Sequence, residues 1–399
     1  MAAIKAIDRV WYVGVQDPDL RVFDIIMYSE TGTSYNAYIV KGDDKIALFE
    51  TSKCKFFDKF LANIREVCDP ADIDYIVVDH TEPDHTGSME KLLELAPKAT
   101  VLGSNAAIMF LKEIVNHPFP SRVVTEKDEI DLGGLTLKFI NVPLLHWPDS
   151  MYTYIPEIKA LFTCDSFGCH YADERVFNDL IEGDFTEAYK YYFDNIIGPF
   201  KRPYMTNALK RVRALDVEFI GNGHGPVLRS DIGKYLDMYE EWCKPEVRET
   251  KRVAIAYVSA YGYTKELAEH IAAGAREEGV DVQVFDLVTD DNAAAKAAVA
   301  DSDGFLLGSP TLVGDALPPV YEMLIGLNPI IHKGKFAAAF GSYGWSGEAV
   351  PNLTARMQQL KLSMPLEGMR VRFKPTEEDL AKAEEYGRSF ARAVCGRGE

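Results

Sequence analysis

At 399 residues the chain exceeds what one hydrophobic core usually holds, and its formal net charge of −18 argues against a nucleic-acid or anionic-membrane partner, both of which need a basic face. An apolar content of 47% is ordinary for a soluble globular protein, and no apolar stretch reaches the length of a membrane span. The six cysteines form no Cys-x-x-Cys pair, which removes rubredoxin-like, thioredoxin-like and zinc-ribbon readings and fits a reducing cytoplasm; Met1-Ala2-Ala3-Ile4-Lys5-Ala6-Ile7-Asp8 lacks the apolar region of a signal peptide.

Residues 9–50 alternate apolar and polar positions between Gly and Asp turns. Val10 to Val15, Tyr35 to Val40 and Ile46 to Glu50 read as a strand meander. Helical spacing follows from Phe56 to Val67 and again from Ser88 to Leu95. Between them the apolar run Tyr75-Ile76-Val77-Val78-Asp79 reads as a buried strand, and it stops dead in His80-Thr81-Glu82-Pro83-Asp84-His85. Two of the chain's eight histidines lie in this stretch, in which four of six residues can ligate a metal. A solvated loop rich in His and acids is the bland alternative. A strand that ends in a turn throws alternate side chains to one place, so His80, Glu82 and Asp84 are expected to converge while His85 swings in from the turn.

Strand signals return at 100–102 and 135–140. Leu144-Leu145-His146-Trp147-Pro148-Asp149-Ser150 then places His146 at a strand end before a proline, and the strand Ala160-Leu161-Phe162-Thr163-Cys164 delivers Asp165 to a similar position. After a mainly helical insert at 174–215, Val217 to Pro226 repeats the pattern around His224, whose flanking glycines allow close backbone approach. One histidine at a strand end is more often structural. Four such sites in one domain point to a shared centre, because strand ends of one sheet lie on one edge. His80, Glu82, Asp84, His85, His146, Asp165 and His224 are too many for one four-coordinate ion and suit two ions with a shared carboxylate. Zinc favours imidazole and thiolate, whereas mixed His and carboxylate sets suit iron or manganese, so a pair of irons is favoured over two zincs.

This domain resembles the metallo-β-lactamase fold, a four-layer αββα sandwich whose metal motif usually reads His-x-His-x-Asp-His. Glu82 stands here in the second His position. His-x-Glu-x-Asp-His, with the 145–151 segment and Gly32-Thr33-Ser34-Tyr35-Asn36-Ala37-Tyr38, resembles the flavodiiron proteins, or A-type flavoproteins. The resemblance implies that His80, Glu82 and His146 hold one iron, that Asp84, His85 and His224 hold the other, and that Asp165 bridges them.

The charged stretch Lys244 to Arg252 reads as a boundary, and beyond it strands and helices alternate, the pattern of a parallel α/β sheet. Strands are expected at 253–258, 282–285, 304–308, 336–340 and 369–373, with helices at 265–278 and 376–393. The loop Ser259-Ala260-Tyr261-Gly262-Tyr263-Thr264 offers hydroxyls and backbone N–H groups at a helix N-terminus, with neither the lysine of a triphosphate loop nor Gly-x-Gly-x-x-Gly. A hydroxyl-lined loop without a cation suits the monophosphate of FMN. Two further strand-end loops point to the same place: Ser309-Pro310-Thr311-Leu312-Val313-Gly314 and Gly341-Ser342-Tyr343-Gly344-Trp345-Ser346-Gly347. The second carries an aromatic pair suited to a flat ring. Ser259-x-x-Gly262-x-Thr264 resembles the flavodoxin phosphate loop, with Tyr261 where Thr is common.

The expected fold class is α/β: a metallo-β-lactamase-like αββα diiron domain at 1–249, then a flavodoxin-like doubly wound parallel sheet with FMN at 252–397. The resemblance implies a cytoplasmic enzyme that reduces O2 to water, NO to N2O, or both, in a head-to-tail homodimer or a dimer of dimers. No rubredoxin-like or NAD-binding segment follows the last helix, so the expected electron donor is separate: rubredoxin, or the reduced deazaflavin coenzyme F420. His170 is a candidate pocket residue, with a structural role the simpler reading. A zinc hydrolase fused to a flavodoxin, which Glu82 disfavours, and a non-catalytic electron carrier, which leaves the ligand set unexplained, are the alternatives from other classes.

Overall fold

The computed structural model describes residues 2–24, 27–245, 248–329 and 331–396. Positions 246 and 247 of the expected boundary stretch, and the expected domain end at 397, lie outside them. The chain divides into two compact units, Met1–Pro245 and Glu246–Glu399.

The first unit is built on two sheets. One has seven strands in the order Ile4–Ile7, Val10–Tyr12, Tyr38–Lys41, Ile46–Phe49, Tyr75–Val78, Thr100–Gly103 and Ser121–Val123; the other has five, Glu129–Asp131, Thr136–Asn141, Met151–Ile155, Ala160–Cys164 and Phe219–Asn222. Period-two alternation decides what each face meets. Tyr38, Phe49 and Val77 join Phe139, Met151 and Phe162 in a core between the sheets, where the Phe49 and Phe162 rings stack at 4.0 Å. Ile39, Leu48, Ile76 and Val78 point outward, into one cluster with Phe60, Ile64, Leu92 and Leu111 of the helices Phe57–Val67, Met89–Leu95 and Asn105–Val115. Tyr152, Leu161 and Ile220 of the second sheet are likewise clustered with Tyr189, Leu209 and Tyr239. The result is the expected αββα sandwich. Strands covered on both faces carry the near-continuous apolar runs seen in the sequence.

The structure departs from the sequence reading in two stretches of this unit. His146 is not at a strand end: Thr136–Asn141 stops first, and His146 sits within the connecting loop 142–150. Pro143 stands two residues after the strand's end, and Leu144 lies in the left-handed region at φ 68°, neither of which continues a strand. Regular helix in the insert begins only at Thr186, because 174–185 is a turn-rich segment tied down by Asn178, whose amide donates to Ser230 O at 2.9 Å.

The second unit holds a five-stranded sheet in the order Asp281–Asp286, Arg252–Tyr257, Gly304–Gly308, Phe336–Tyr343, Met369–Arg372, every neighbouring pair parallel. Val253 and Ile255 face the helices Tyr263–Glu277 and Glu377–Val394; Ala254 and Ala256 face Asn292–Asp301 and Ala349–Gln359. This is a doubly wound sheet of flavodoxin type. Its strand order reverses between Arg252–Tyr257 and Gly304–Gly308, the place where such sheets bind ligands.

The helices Tyr263–Glu277 and Glu377–Val394 interlock through glycines. A Cβ on Gly274 would lie 1.9 Å from the Glu384 carbonyl oxygen, and one on Gly387 would lie 2.0 Å from that of Ile271. Gly274→Ala should therefore destabilise the unit by about 1–3 kcal/mol, the usual cost of overpacking. Gly233→Ala, in a helix with nothing within 4 Å of the new methyl, is the contrast and should be neutral or mildly stabilising. Urea unfolding of both variants checks the pair.

Candidate metal centre and cofactor pocket

Backbone pairing delivers the metal-ligating side chains. Tyr75–Val78 runs parallel to Ile46–Phe49, whose extension locks the turn at 79–85. Asp79 N donates to Glu50 Oε1 at 2.7 Å, and Thr51 donates to the His85 carbonyl from N at 2.8 Å and from Oγ1 at 2.6 Å. Pro83 opens the short helix Pro83–Thr86, where a missing N–H costs nothing, and turns Asp84 and His85 inward. On the second sheet Cys164 takes φ 45° as its strand ends, and Asp165 follows it into the interior. Gly223 has no room for a side chain, since a Cβ there would be 2.8 Å from His85 Cε1 and 3.2 Å from Asp165 Oδ1.

All seven side chains meet, in two sets that share Asp165. His80, Glu82, His146 and Asp165 form one; Asp84, His85 and His224 form the other. His146 Nε2 lies 2.9 Å from Asp165 Oδ2 and 3.1 Å from Glu82 Oε2, and His80 Nε2 lies 3.2 Å from Glu82 Oε2. On the other side His85 Nε2 is 3.0 Å from Asp165 Oδ1, and His224 Nε2 is 3.4 Å from the same oxygen and 3.2 Å from Asp84 Oδ2. The two oxygens of Asp165 thus face different sets. Donors about 2.0–2.2 Å from a shared ion stand roughly 3–3.5 Å apart, so each set has the spacing of a coordination shell. The buried Asp84 carboxylate faces the imidazoles of its own set, with Oδ1 3.5 Å from His85 Nε2 and Oδ2 3.2 Å from His224 Nε2, as donors around one ion would stand. Glu50, His85 and Cys164 form a third group, which shares His85.

The charge balance points the same way. Burial disfavours the charged form of His146 and His224, yet Asp165 with Glu82, and Asp165 with Asp84, outweigh it and push the two imidazoles up to about 9 and about 10. In return burial opposes ionisation of Asp165, and the surrounding imidazoles override it and hold it well below the usual carboxylate range. Three interior carboxylates demand positive charge, which protons or metal ions can supply. Glu82 and His146 are the members of the two sets that face solvent, their side chains 17% and 15% exposed.

In the second unit the strand-end loops enclose a cavity of about 390 Å³. Tyr261, Tyr263, Pro310, Thr311, Leu312, Val313 and Gly314 line it, with Ser342, Tyr343, Gly344 and Trp345 opposite. Ser259, Gly262, Thr264 and Gly347 lie outside that lining and shape it: Gly262, at φ +88°, starts the helix Tyr263–Glu277, Thr264 Oγ1 is 2.9 Å from Ser342 Oγ, and Gly347 packs under the Tyr343 ring. The Ser259 hydroxyl is buried without a partner, an unmet polar group that a phosphate oxygen would satisfy. A helix N-terminus, free hydroxyls and an aromatic-walled slot fit the phosphate and ring of FMN.

Comparison with known proteins agrees with both halves. Residues 33–225 match the family model for ODP family beta lactamase, and residues 255–387 match that for flavodoxin. The flavo-diiron protein FprA2 of Clostridium acetobutylicum is 41% identical over 99% of this chain and 100% of that one. The chain belongs to the flavodiiron protein family. A type A flavoprotein of Rhodobacter capsulatus is 40% identical, over 97% of this flavodiiron protein and 91% of the relative. Two solved structures share its architecture: the flavodiiron protein from Giardia intestinalis (TM-score 0.68, 32% identity, 100% of this chain and 98% of that one) and the rubredoxin oxygen:oxidoreductase from Desulfovibrio gigas (TM-score 0.71, 29% identity, 99% of each).

Several site residues of this flavodiiron protein escaped the sequence reading. Phe373 also lines the cavity, beside Ser346 of the expected 341–347 loop; Phe373 directly follows the last strand, so the strand-end rule that found the other loops could have found it. Asp24 interacts with Glu82, and burial, then the Glu82 charge, pushes its carboxyl up to about 6. His170 does join the centre's wall. Its Nδ1 is 3.0 Å from Thr33 Oγ1, its ring lies 5.2 Å from that of His224, and burial keeps it neutral, well below the ordinary imidazole range. Because both sets share Asp165, Asp165→Ala should strip metal from both. Elemental analysis should find less than one ion per chain, with FMN content unchanged.

Proposed function

We propose that this flavodiiron protein is an oxidoreductase that reduces O2 to water, NO to N2O, or both, at a non-haem diiron centre, with FMN relaying electrons from an external donor. The observation that carries the reading is Asp165, whose two oxygens each complete a separate set of His and carboxylate donors. When bound, a diiron pair would supply Lewis acidity and FMN would supply electrons; O2 to two waters takes four electrons and four protons, and two NO to N2O and water take two of each. His80, Glu82, His146 and Asp165 would hold one ion, and Asp84, His85, His224 and Asp165 the other. With five of these side chains 3% exposed or less, water is held away from the ions except on the Glu82 and His146 side, and the gas enters there.

In the second unit the 259–264 loop takes the phosphate, and the 310–314 and 342–347 loops hold the ring. Val313 and Trp345 at this cavity are almost wholly exposed, at 105% and 95%, and Tyr261 at 78%. Large apolar groups left in water around a cofactor mark a surface meant to be covered. We assign that cover to a second copy of the chain in a head-to-tail homodimer, which sets the flavin of one subunit against the irons of the other. The electron donor is a rubredoxin-type protein, as the name of the Desulfovibrio gigas relative suggests, with reduced coenzyme F420 as the alternative.

Anaerobic mixing of the reduced holoprotein with each gas tests the reaction. Consumption of O2 or NO with water or N2O as product is expected, and Asp165→Ala should fall to background. Protein that binds only zinc and consumes neither gas would overturn the reading. Trp345→Glu should shift the dimer towards monomer in sedimentation and slow gas consumption while iron content stays unchanged.

A further inference from the structure

Among the described residues Asp149 is the one carboxylate, outside the seven converging donors, that hydrogen-bonds a ligand imidazole. It closes the loop 142–150, and its side chain is wholly buried. A single oxygen, Oδ2, accepts from His80 Nδ1 at 3.2 Å, from Thr81 N at 2.7 Å and from Thr81 Oγ1 at 2.9 Å. His80 Nε2 faces Glu82 and Asp165, so the ring is strung between Asp149 and the ligand set. A carboxylate on the outer nitrogen of a metal-binding imidazole fixes its tautomer and orientation and makes it a stronger donor.

The other three ligand histidines lack this support. His224 Nδ1 donates to a neutral group, the Ser34 carbonyl, at 2.6 Å. His85 Nδ1 is buried without a hydrogen-bond partner. Glu50 lies within 4.8 Å of the His85 ring but makes no hydrogen bond to that nitrogen. On His146 the carboxylate contacts are to Nε2, on the ion side.

We infer that Asp149 makes the two halves of the centre unequal: acting through His80, it gives the His80–Glu82–His146 half the tighter grip on its ion and the stronger preference for the more oxidised ion. The inference rests on the diiron reading above. Asp149 is a positioning residue, since it touches neither ion nor gas.

The test uses the iron-loaded, FMN-loaded protein. Asp149→Asn can leave an oxygen where the three donors need it; it removes the charge and puts an NH2 group in place of Oδ1, which is buried without a partner. A chelator should withdraw iron from the unsubstituted protein in two phases. In Asp149→Asn the slow phase should quicken by about 10- to 100-fold, the usual effect of losing such a support. The potential of the first iron to be oxidised should rise, with FMN content unchanged. Thr81→Val removes one donor to Asp149 but keeps the His80 contact, so it should leave the slow phase and the potential alone; a merely structural role for Asp149 would move both variants alike. Unchanged iron release and potential in Asp149→Asn with two irons bound would overturn the inference. So would single-phase release from the unsubstituted protein, which decides the matter even if the variant does not fold. Protein that binds no iron at all would instead refute the diiron reading.

Discussion

The first unit is organised around a debt of charge. Glu82, Asp84 and Asp165 are brought together out of water, where ionised carboxylates are unstable unless positive charge sits among them. Four imidazoles ring them, yet imidazoles as neutral ligands bring no charge of their own. The sandwich can therefore hold these acids ionised in two ways only, with protons on the histidines or with cations between them. The surrounding strand ends hold the donors at coordination spacing, which favours the second. Glu82 matters here beyond its place in the motif, because a carboxylate in a histidine position deepens the negative field and shifts preference towards ions that carry and exchange charge.

Much of this was legible in the chain. The αββα and doubly wound halves could be read because strands buried on both faces are apolar throughout, and the ligands because His and acid stand out directly after such runs. His146 was found for a partly mistaken reason: its loop reads as a strand end because Leu144-Leu145 precede it, while Pro143 and the left-handed backbone of Leu144 keep it irregular. What stayed hidden were contacts without a local signal. The link between Asp149 and His80 spans sixty-nine positions, and the Ser34 carbonyl that orients His224 is backbone, which no residue type announces.

The cofactor pocket shows the same divide. Its hydroxyl loop and glycines are sequence features, since a phosphate without a lysine must be met by hydroxyls and N–H groups. The helices Asn105–Val115, Asn292–Asp301 and Ala349–Gln359 went unassigned, although they are as long as or longer than the assigned Met89–Leu95. Phe373 joins the pocket because the fifth strand lies beside the fourth; its place directly after a strand could be read from the sequence, but that sheet order could not.

The glycine-locked pair of helices also has a bearing on biogenesis. The helix Tyr263–Glu277 rests, through Gly274 and Gly387, on Glu377–Val394, which is made about a hundred residues later. The metal-binding half is complete in sequence by Pro245 and can fold while synthesis continues. The flavin half lacks that support until Glu377–Val394 has emerged, so its cofactor slot takes shape later in synthesis than the metal-binding sandwich.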